Sequence, residues 1–366
     1  MQILEKYANL LVHYCLEIQK GDKLYISTTT LAQPLVREVY RAAMKAGAHV
    51  DVKMAFREEA KIFLDNADDD QLAYVPPLQK VAMEEYDAYL AIRAPFNLKE
   101  TQSVDPEQRK KRSKAMAGIS QTYFTRTADR SLKRSLCQYP TQASAQEAGM
   151  SLEEYQQFVF NACNLFADDP EGEWLKVRAS QQKVVDYLNK ADVVQYKSKK
   201  TDITFRVKDR IWMNSDGQTN MPSGEVYSAP IEDSVNGVVF FDYPIVYMGQ
   251  DVQNITLWVE DGVVVKWDAE RGKEVIDEVM KIPGANRFGE VAIGTNYNIQ
   301  RATKNILFDE KIGGSIHMAV GQAYKQNGGL NKSAIHWDMI SDMKDGGQII
   351  VDGELIYENG EFIIFD

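Results

Sequence analysis

The sequence predicts an α/β protein in two parts. The first is an N-terminal α/β domain over 1–190, with a doubly wound-like sheet and a helical connecting region. The second is a β-rich α+β domain over 191–366. Three observations predict this arrangement. Helix and strand patterns alternate through the first hundred residues, and strand and hairpin signals dominate after about Val193. The 366-residue length also exceeds the roughly 250 to 300 residues at which one hydrophobic core stops growing.

Taken in order, Ile3, Leu4, Tyr7, Leu10, Leu11, Tyr14 and Ile18 recur at helical spacing, and Gly21-Asp22 breaks the chain before a strand at Lys23 to Ser27. A helix from about Pro34 to Ala46 runs into a strand at His49 to Met54, and a third strand fits Ala88 to Ile92. Asp105 before Pro106 is an N-cap and first helical residue for a long helix with Lys110, Lys111, Arg112 and Lys114 on a solvated face. Ser151 and Glu154 form a capping box that opens another helix. Further on, Ile255, Leu257 and Val259 alternate before Asp261-Gly262, and Val263 to Trp267 resumes the strand, a hairpin signature repeated at Asp352-Gly353 and Asn359-Gly360.

Composition excludes several classes of function. Lys plus Arg is 42 against 53 for Asp plus Glu, and the net charge of -11 argues against nucleic acid or an anionic membrane as partner. No run of about 18 apolar residues offers a membrane span. The opening run carries Glu5, Lys6 and His13 within its apolar pattern, unlike a secretory leader. Cys15, Cys137 and Cys163 are odd in number and widely spaced, which disfavours a disulfide framework or a thiolate zinc site. The expected address is cytoplasmic.

The chemistry concentrates in the last third. Of four histidines, His317 and His336 lie among carboxylates between Phe288 and Met343, while His13 and His49 sit in plain structural patterns. If SAIHWDMI is a strand, His336 and Asp338 share one face and Trp337 points away, so one imidazole and one carboxylate can meet a single cation, or simply each other. On a helix, the seven-residue spacing of His317 and Tyr324 would put them about two turns apart on one face. Glu225, between Pro222, Gly224 and Pro230, is displayed from a constrained turn or short strand, and Glu290 opens an apolar strand where its charge needs solvent or a partner. These groups outnumber the ligands of one tetrahedral site, whereas two cations about 3.5–4 Å apart could share them. Mixed carboxylate and imidazole donors suit Zn, Co or Mn.

The segments PSGEVYSAP, FGEVAIGTN, FDEKIGGSIHMAVGQAY and NKSAIHWDM resemble the metal-binding motifs of the aminopeptidase T family of metallopeptidases, the thermophilic-type metalloaminopeptidases that include bacterial aminopeptidase S. The likeness extends to PTQASAQEAGMSLEEYQQF and, more loosely, to YANLLVHYCLEIQKGDKLYI and AAMKAGAHVDV, and is weakest from about 55 to 130. The resemblance implies a cytoplasmic, homodimeric, broad-specificity exopeptidase that acts on peptides with a free N-terminus through two divalent cations. By motif position it implies Glu225, Glu290, His317, Tyr324, His336 and Asp338 as the metal ligands. The expected chemistry is amide hydrolysis by a hydroxide bridging the two metals, since bound metal lowers the pKa of water to about 7. Glu310, or Asp309 beside it, is the candidate general base, and Tyr324, if not a ligand, a donor to the tetrahedral oxyanion. A dinuclear hydrolase of another bond, amidohydrolase or phosphoesterase, and a non-catalytic metal-binding protein are the competing readings.

Overall fold

A computed structural model describes residues 3–247 and 249–365. The chain divides into two compact units, Met1–Glu171 with Gly217–Pro222, and Gly172–Asp216 with Ser223–Asp366. The division falls before the helix Pro170–Leu188 has run its first turn, ahead of the boundary at 190 expected from sequence. The cause lies in packing: Val184, Val185 and Leu188 on that helix are buried in the core of the second unit.

The first unit is built on a five-stranded parallel sheet. Its strands run in the order His49–Ala55, Lys23–Thr29, Ala88–Arg93, Lys133–Gln138 and Asn220–Met221. This is the alternating α/β architecture expected from the sequence. The helix Gln33–Ala46 carries a proline in its first turn and ends on Gly47 in the left-handed region, φ +86°. The helix Pro106–Ala128 is capped by Asp105, whose side chain accepts from the Glu107 N–H, and Ser151 and Glu154 form the reciprocal capping box.

The N-terminal helix differs from a regular one. Its α-helical part ends at Asn9 and the chain continues as a π-helical turn over Leu10–Cys15. Leu10, Leu11, Val12, Tyr14, Cys15 and Leu16 are all buried and His13 alone in the turn is exposed, so burial extends beyond the single face that a 3.6-residue period assumes.

The second unit holds two antiparallel sheets among the described residues. A nine-stranded sheet includes the hairpin Gln250–Glu260 and Val263–Arg271. Its turn has Asp261 and Gly262 at φ +47° and +76°, and the same pair of positive φ angles recurs at Asp352-Gly353 and Asn359-Gly360, as a type I′ turn requires. Gly262 is also obligatory for space, because a Cβ there would come within 1.7 Å of the Glu232 carbonyl oxygen.

The five-stranded sheet positions the site. Its order is His336–Asp342, Ser315–Gly321, Phe288–Gly294, Glu225–Ser228 and Met213–Ser215. One face, with Val226, Val291, Ile293, Ile316, Met318, Val320, Trp337 and Met339, joins the hydrophobic core of the unit. The helical spacing considered for His317 and Tyr324 is corrected here. His317 is the third residue of a seven-residue strand buried at every position, and Tyr324 follows in the loop beyond Gly321. Seven consecutive buried residues are long enough for a central strand and too short for a stable helix.

Candidate metal centre

Strand alternation puts the second set of side chains on the opposite face of the five-stranded sheet. Cross-strand partners are Gly294 with Glu225, Ala292 with His317, Ala319 with both Glu290 and Asp338, and Gly321 with His336. Five polar groups from four strands therefore share one face. The positions between them hold Ala292, Gly294, Ala319 and Gly321, so the small residues leave the space into which the carboxylates and imidazoles converge. His336 and Asp338 lie on one strand face, as the spacing predicted.

The distances define two overlapping groups. His317 Nε2 lies 3.2 Å from Glu225 Oε2 and 3.3 Å from Glu290 Oε1. His336 Nε2 lies 3.3 Å from Glu290 Oε2 and 3.4 Å from Asp338 Oδ1. Glu290 thus offers one oxygen to each imidazole. Glu225, Glu290 and His317 form one set of donor atoms within 4.8 Å of one another, and Glu290, His336 and Asp338 form the other. His336 Nδ1 is 2.7 Å from the Gln322 carbonyl oxygen, to which it donates, so the tautomer is fixed and Nε2 faces the carboxylates.

His317 is fully buried, and Glu225 and Glu290 are each only 5% exposed, so the charges have almost no access to water. Burial by itself would lower both histidines, but the adjoining carboxylates outweigh it: His336 is pushed up to about 12 by Asp338 and Glu290, and His317 is raised by Glu225 and Glu290. Burial raises Asp338, yet His336 beside it holds the carboxyl down at about 2, and Glu225 is likewise lowered overall, by Lys311 and His317.

Lys311 contributes a cation to the site. It is fully buried, its Nζ contacts the Glu310 carboxylate, and it lies 3.6 Å from Glu225 Oε1. Burial lowers this amine, but Glu225 and Glu310 raise it further, so it stays an ammonium. The signal available in the sequence was a lysine two residues before the tight Gly313-Gly314 pair and directly after Asp309-Glu310, which alone does not reveal burial. Glu310 is pushed up to about 7 by burial and by Glu225 and Asp338, against the opposing pull of Lys311.

Two other sequence candidates lie differently. Asp309 is buried, and its Oδ1 accepts from both the N–H and the hydroxyl of Thr303 at 2.8 Å, which commits that oxygen to the loop. Tyr324 is 44% exposed, and its ring is tilted over His336 with centroids 5.0 Å apart. Loss of water around its hydroxyl, together with Glu290, Asp338 and Glu310, raises the phenol, so it keeps its proton.

The residues present fit a divalent metal. Glu225 Oε2 and Asp338 Oδ1 are buried and face an imidazole nitrogen at 3.2 and 3.4 Å without an aligned hydrogen bond, and His317 Nδ1 has no hydrogen-bond partner among the described residues. Leaving such atoms unmet is costly, on the order of 1–3 kcal/mol each, and carboxylate oxygens are suitable donors to a hard or borderline cation.

Comparison with known proteins gives the same direction. The family described as thermophilic metalloprotease (M29) matches residues 1–362. Aminopeptidase 2 from Geobacillus stearothermophilus is 30% identical, over 93% of this chain and 92% of its own. Aminopeptidase AmpS from Bacillus subtilis is 26% identical over 99% and 98%. The solved structure of wild-type AmpT from Thermus thermophilus superposes with a TM-score of 0.86 at 24% identity, covering 99% of both chains, and shows that the two share a fold.

Proposed function

This chain belongs to the thermophilic metalloprotease (M29) family, and on that premise we propose how it acts as a metal-dependent aminopeptidase removing N-terminal residues from peptides. The single observation that carries the reading is the split of Glu290, one carboxylate oxygen toward each of two imidazoles in two overlapping donor sets. Two divalent cations, from among Zn, Co and Mn, would be held by Glu225, Glu290 and His317 and by Glu290, His336 and Asp338, with Tyr324 close to the second set. When bound, they would supply Lewis-acid polarisation of the scissile carbonyl and acidify the attacking water.

The chain's own residues do the rest. Glu310, whose carboxyl sits near neutrality, takes the proton of the attacking water and returns it to the leaving amine. The Tyr324 hydroxyl donates a hydrogen bond to the carbonyl oxygen as its negative charge develops. Lys311 keeps Glu225 ionised, and the Gln322 carbonyl holds the His336 ring in one tautomer and orientation. A phosphate ester finds less support, because Lys311 is buried and already paired, and the Arg287 guanidinium donates to the Glu232 carbonyl oxygen.

A homodimer in the cytoplasm belongs to the same proposal. It is compatible with the acidic composition, and no helix among the described residues is long and apolar enough to cross a membrane. The test is chelation followed by add-back of Zn, Co or Mn, with release of the N-terminal residue from aminoacyl amides measured beside phosphate-ester hydrolysis. Metal-restored peptidase activity that falls about 10²–10⁴-fold in Glu310→Gln, with metal content kept, is the expected result. Phosphatase activity without peptidase activity would contradict it.

A further inference from the structure

In the first unit, a cavity of about 400 Å³ lies between the parallel sheet and the helices Pro77–Glu85 and Pro106–Ala128. That volume falls within the 300 to 1,000 Å³ usual for a small-molecule ligand. Strand register orders its floor. Tyr25, Tyr89 and Arg134 are neighbours across three adjacent strands, and Ser27, Ala91 and Leu136 form the next row on the same face. Ser27 and Ala91 are short, and the two helices meet this face through a small buried cluster of Ala82, Met83, Ile119 and Leu132, so space remains above the second row.

Aromatic rings form one wall. Tyr25 and Tyr89 are stacked, with centroids 5.9 Å apart and planes 20° from parallel, and Tyr123 on the long helix meets Tyr89 edge-on at 5.9 Å. Rings held against one another in this way present a rigid surface that suits a further planar ring.

Charge limits what such a ring can carry. The chain has 53 acidic residues and a net charge of -11, yet no Asp or Glu lines this cavity, whereas Arg134 and Lys53 do. Lys53 Nζ lies 3.7 Å from Glu59 Oε1, so its charge is partly met. Arg134 is partly buried, and it makes no ion pair or side-chain hydrogen bond among the described residues. Its planar guanidinium offers the paired N–H donors that a carboxylate accepts at two points. One unmet positive charge balances a monoanion. A phosphate dianion would keep an excess of negative charge, and an ammonium would meet two cations and no carboxylate.

We propose that this cavity binds a small aromatic carboxylate that carries no neighbouring ammonium, with the carboxylate on Arg134 and the ring against the tyrosine wall. The site is built within the first unit and uses no donor of the metal centre, so the proposal is independent of the aminopeptidase reading. A free α-ammonium, the mark of an aminopeptidase substrate, is the group this lining repels.

The test is calorimetric titration of the full, metal-loaded chain with 3-phenylpropionate, N-acetyl-L-phenylalanine, phenyl phosphate and 2-phenylethylamine, with Tm and metal content measured on the same samples. The variants are Arg134→Met, Arg134→Lys and Ser120→Trp, the last introducing a large ring at the exposed rim. The expected result is saturable binding of a carboxylate, one per chain, that 2-phenylethylamine does not displace. Arg134→Met should weaken it at least about tenfold, because a hydrogen-bonded charge pair is lost, and Arg134→Lys should retain part of the affinity. Ser120→Trp should weaken it by obstruction with metal content unchanged, and it decides the matter if Arg134→Met lowers Tm so far that the chain is unfolded. Tighter binding of 3-phenylpropionate assigns the site to a free acid, and tighter binding of N-acetyl-L-phenylalanine to the C-terminus of a peptide; each supports the proposal. Absence of saturable binding at millimolar concentration, affinity unchanged in folded Arg134→Met and in Ser120→Trp, or a preference for phenyl phosphate or 2-phenylethylamine would each overturn it.

Discussion

Each unit of this protein buries a cluster of titratable side chains, and the two clusters settle the cost of burial in opposite ways. In the N-terminal unit, the Tyr7 hydroxyl donates to the Gln138 carbonyl oxygen at 3.2 Å and the Cys163 thiol donates to Tyr7 at 3.7 Å. Burial pushes Cys137 up to about 12 and raises Cys163 and Tyr7 as well, so every member stays neutral. In the C-terminal unit, Glu225 and Asp338 are instead held below the usual carboxylate range, and the histidines above theirs. Neutral groups in a core need only hydrogen bonds, whereas buried carboxylates held ionised beside imidazoles form a donor set that a cation can occupy. That difference separates a structural cluster from one suited to catalysis.

The largest effect should come from the residue both donor sets share. Glu290→Gln is expected to reduce turnover to the background rate and to lower metal content by at least one ion per chain, measured by elemental analysis of the folded variant. Retained turnover with full metal content would break the comparison, because Glu290 would then be no more functional than Gln138.

Lys311→Met should have the next largest effect, and on stability. Removing one member of a buried ion-pair network costs about 3–5 kcal/mol, since Glu225 and Glu310 lose their counter-charge. Saturating divalent metal should recover part of the loss in Tm, because a cation bound by Glu225 replaces some of that charge. A variant as stable as the parent in the absence of metal would show that the carboxylates do not depend on Lys311.

Tyr7→Phe sharpens the comparison from the other side. It removes a satisfied neutral hydrogen bond and should cost about 1 kcal/mol in denaturant unfolding, with metal content and turnover unaffected. The smallest signal concerns the thiols. With burial holding them protonated far above neutral pH, Cys137 and Cys163 should resist maleimide at pH 8 and react only after unfolding, as read by mass spectrometry. Rapid labelling of the native chain would contradict the burial of that cluster.

The sequence made the punctuated elements legible. Asp105-Pro106, the Ser151–Glu154 box and the Asp261-Gly262 turn were readable because capping and positive φ demand particular residue types locally. The π-helical turn at Leu10–Cys15 was not, since its buried residues extend beyond one face and no local residue signal marks it. For the candidate site, residue types and the two-residue spacing of His336 and Asp338 were visible. Their assembly was not, because it depends on the register that sets Ala292 against His317 and Ala319 against Asp338. The burial of Lys311 and the cavity beside Arg134 arise from contacts distant in sequence, for which no local pattern exists.

The central claim is that this sheet face holds two cations through a shared Glu290. Anomalous diffraction from crystals grown with Zn or Co, collected on both sides of the metal edge, tests it most directly. The account predicts two peaks about 3.5–4 Å apart, one among Glu225, Glu290 and His317 and one among Glu290, His336 and Asp338. A single peak, or peaks away from Glu290, would contradict it.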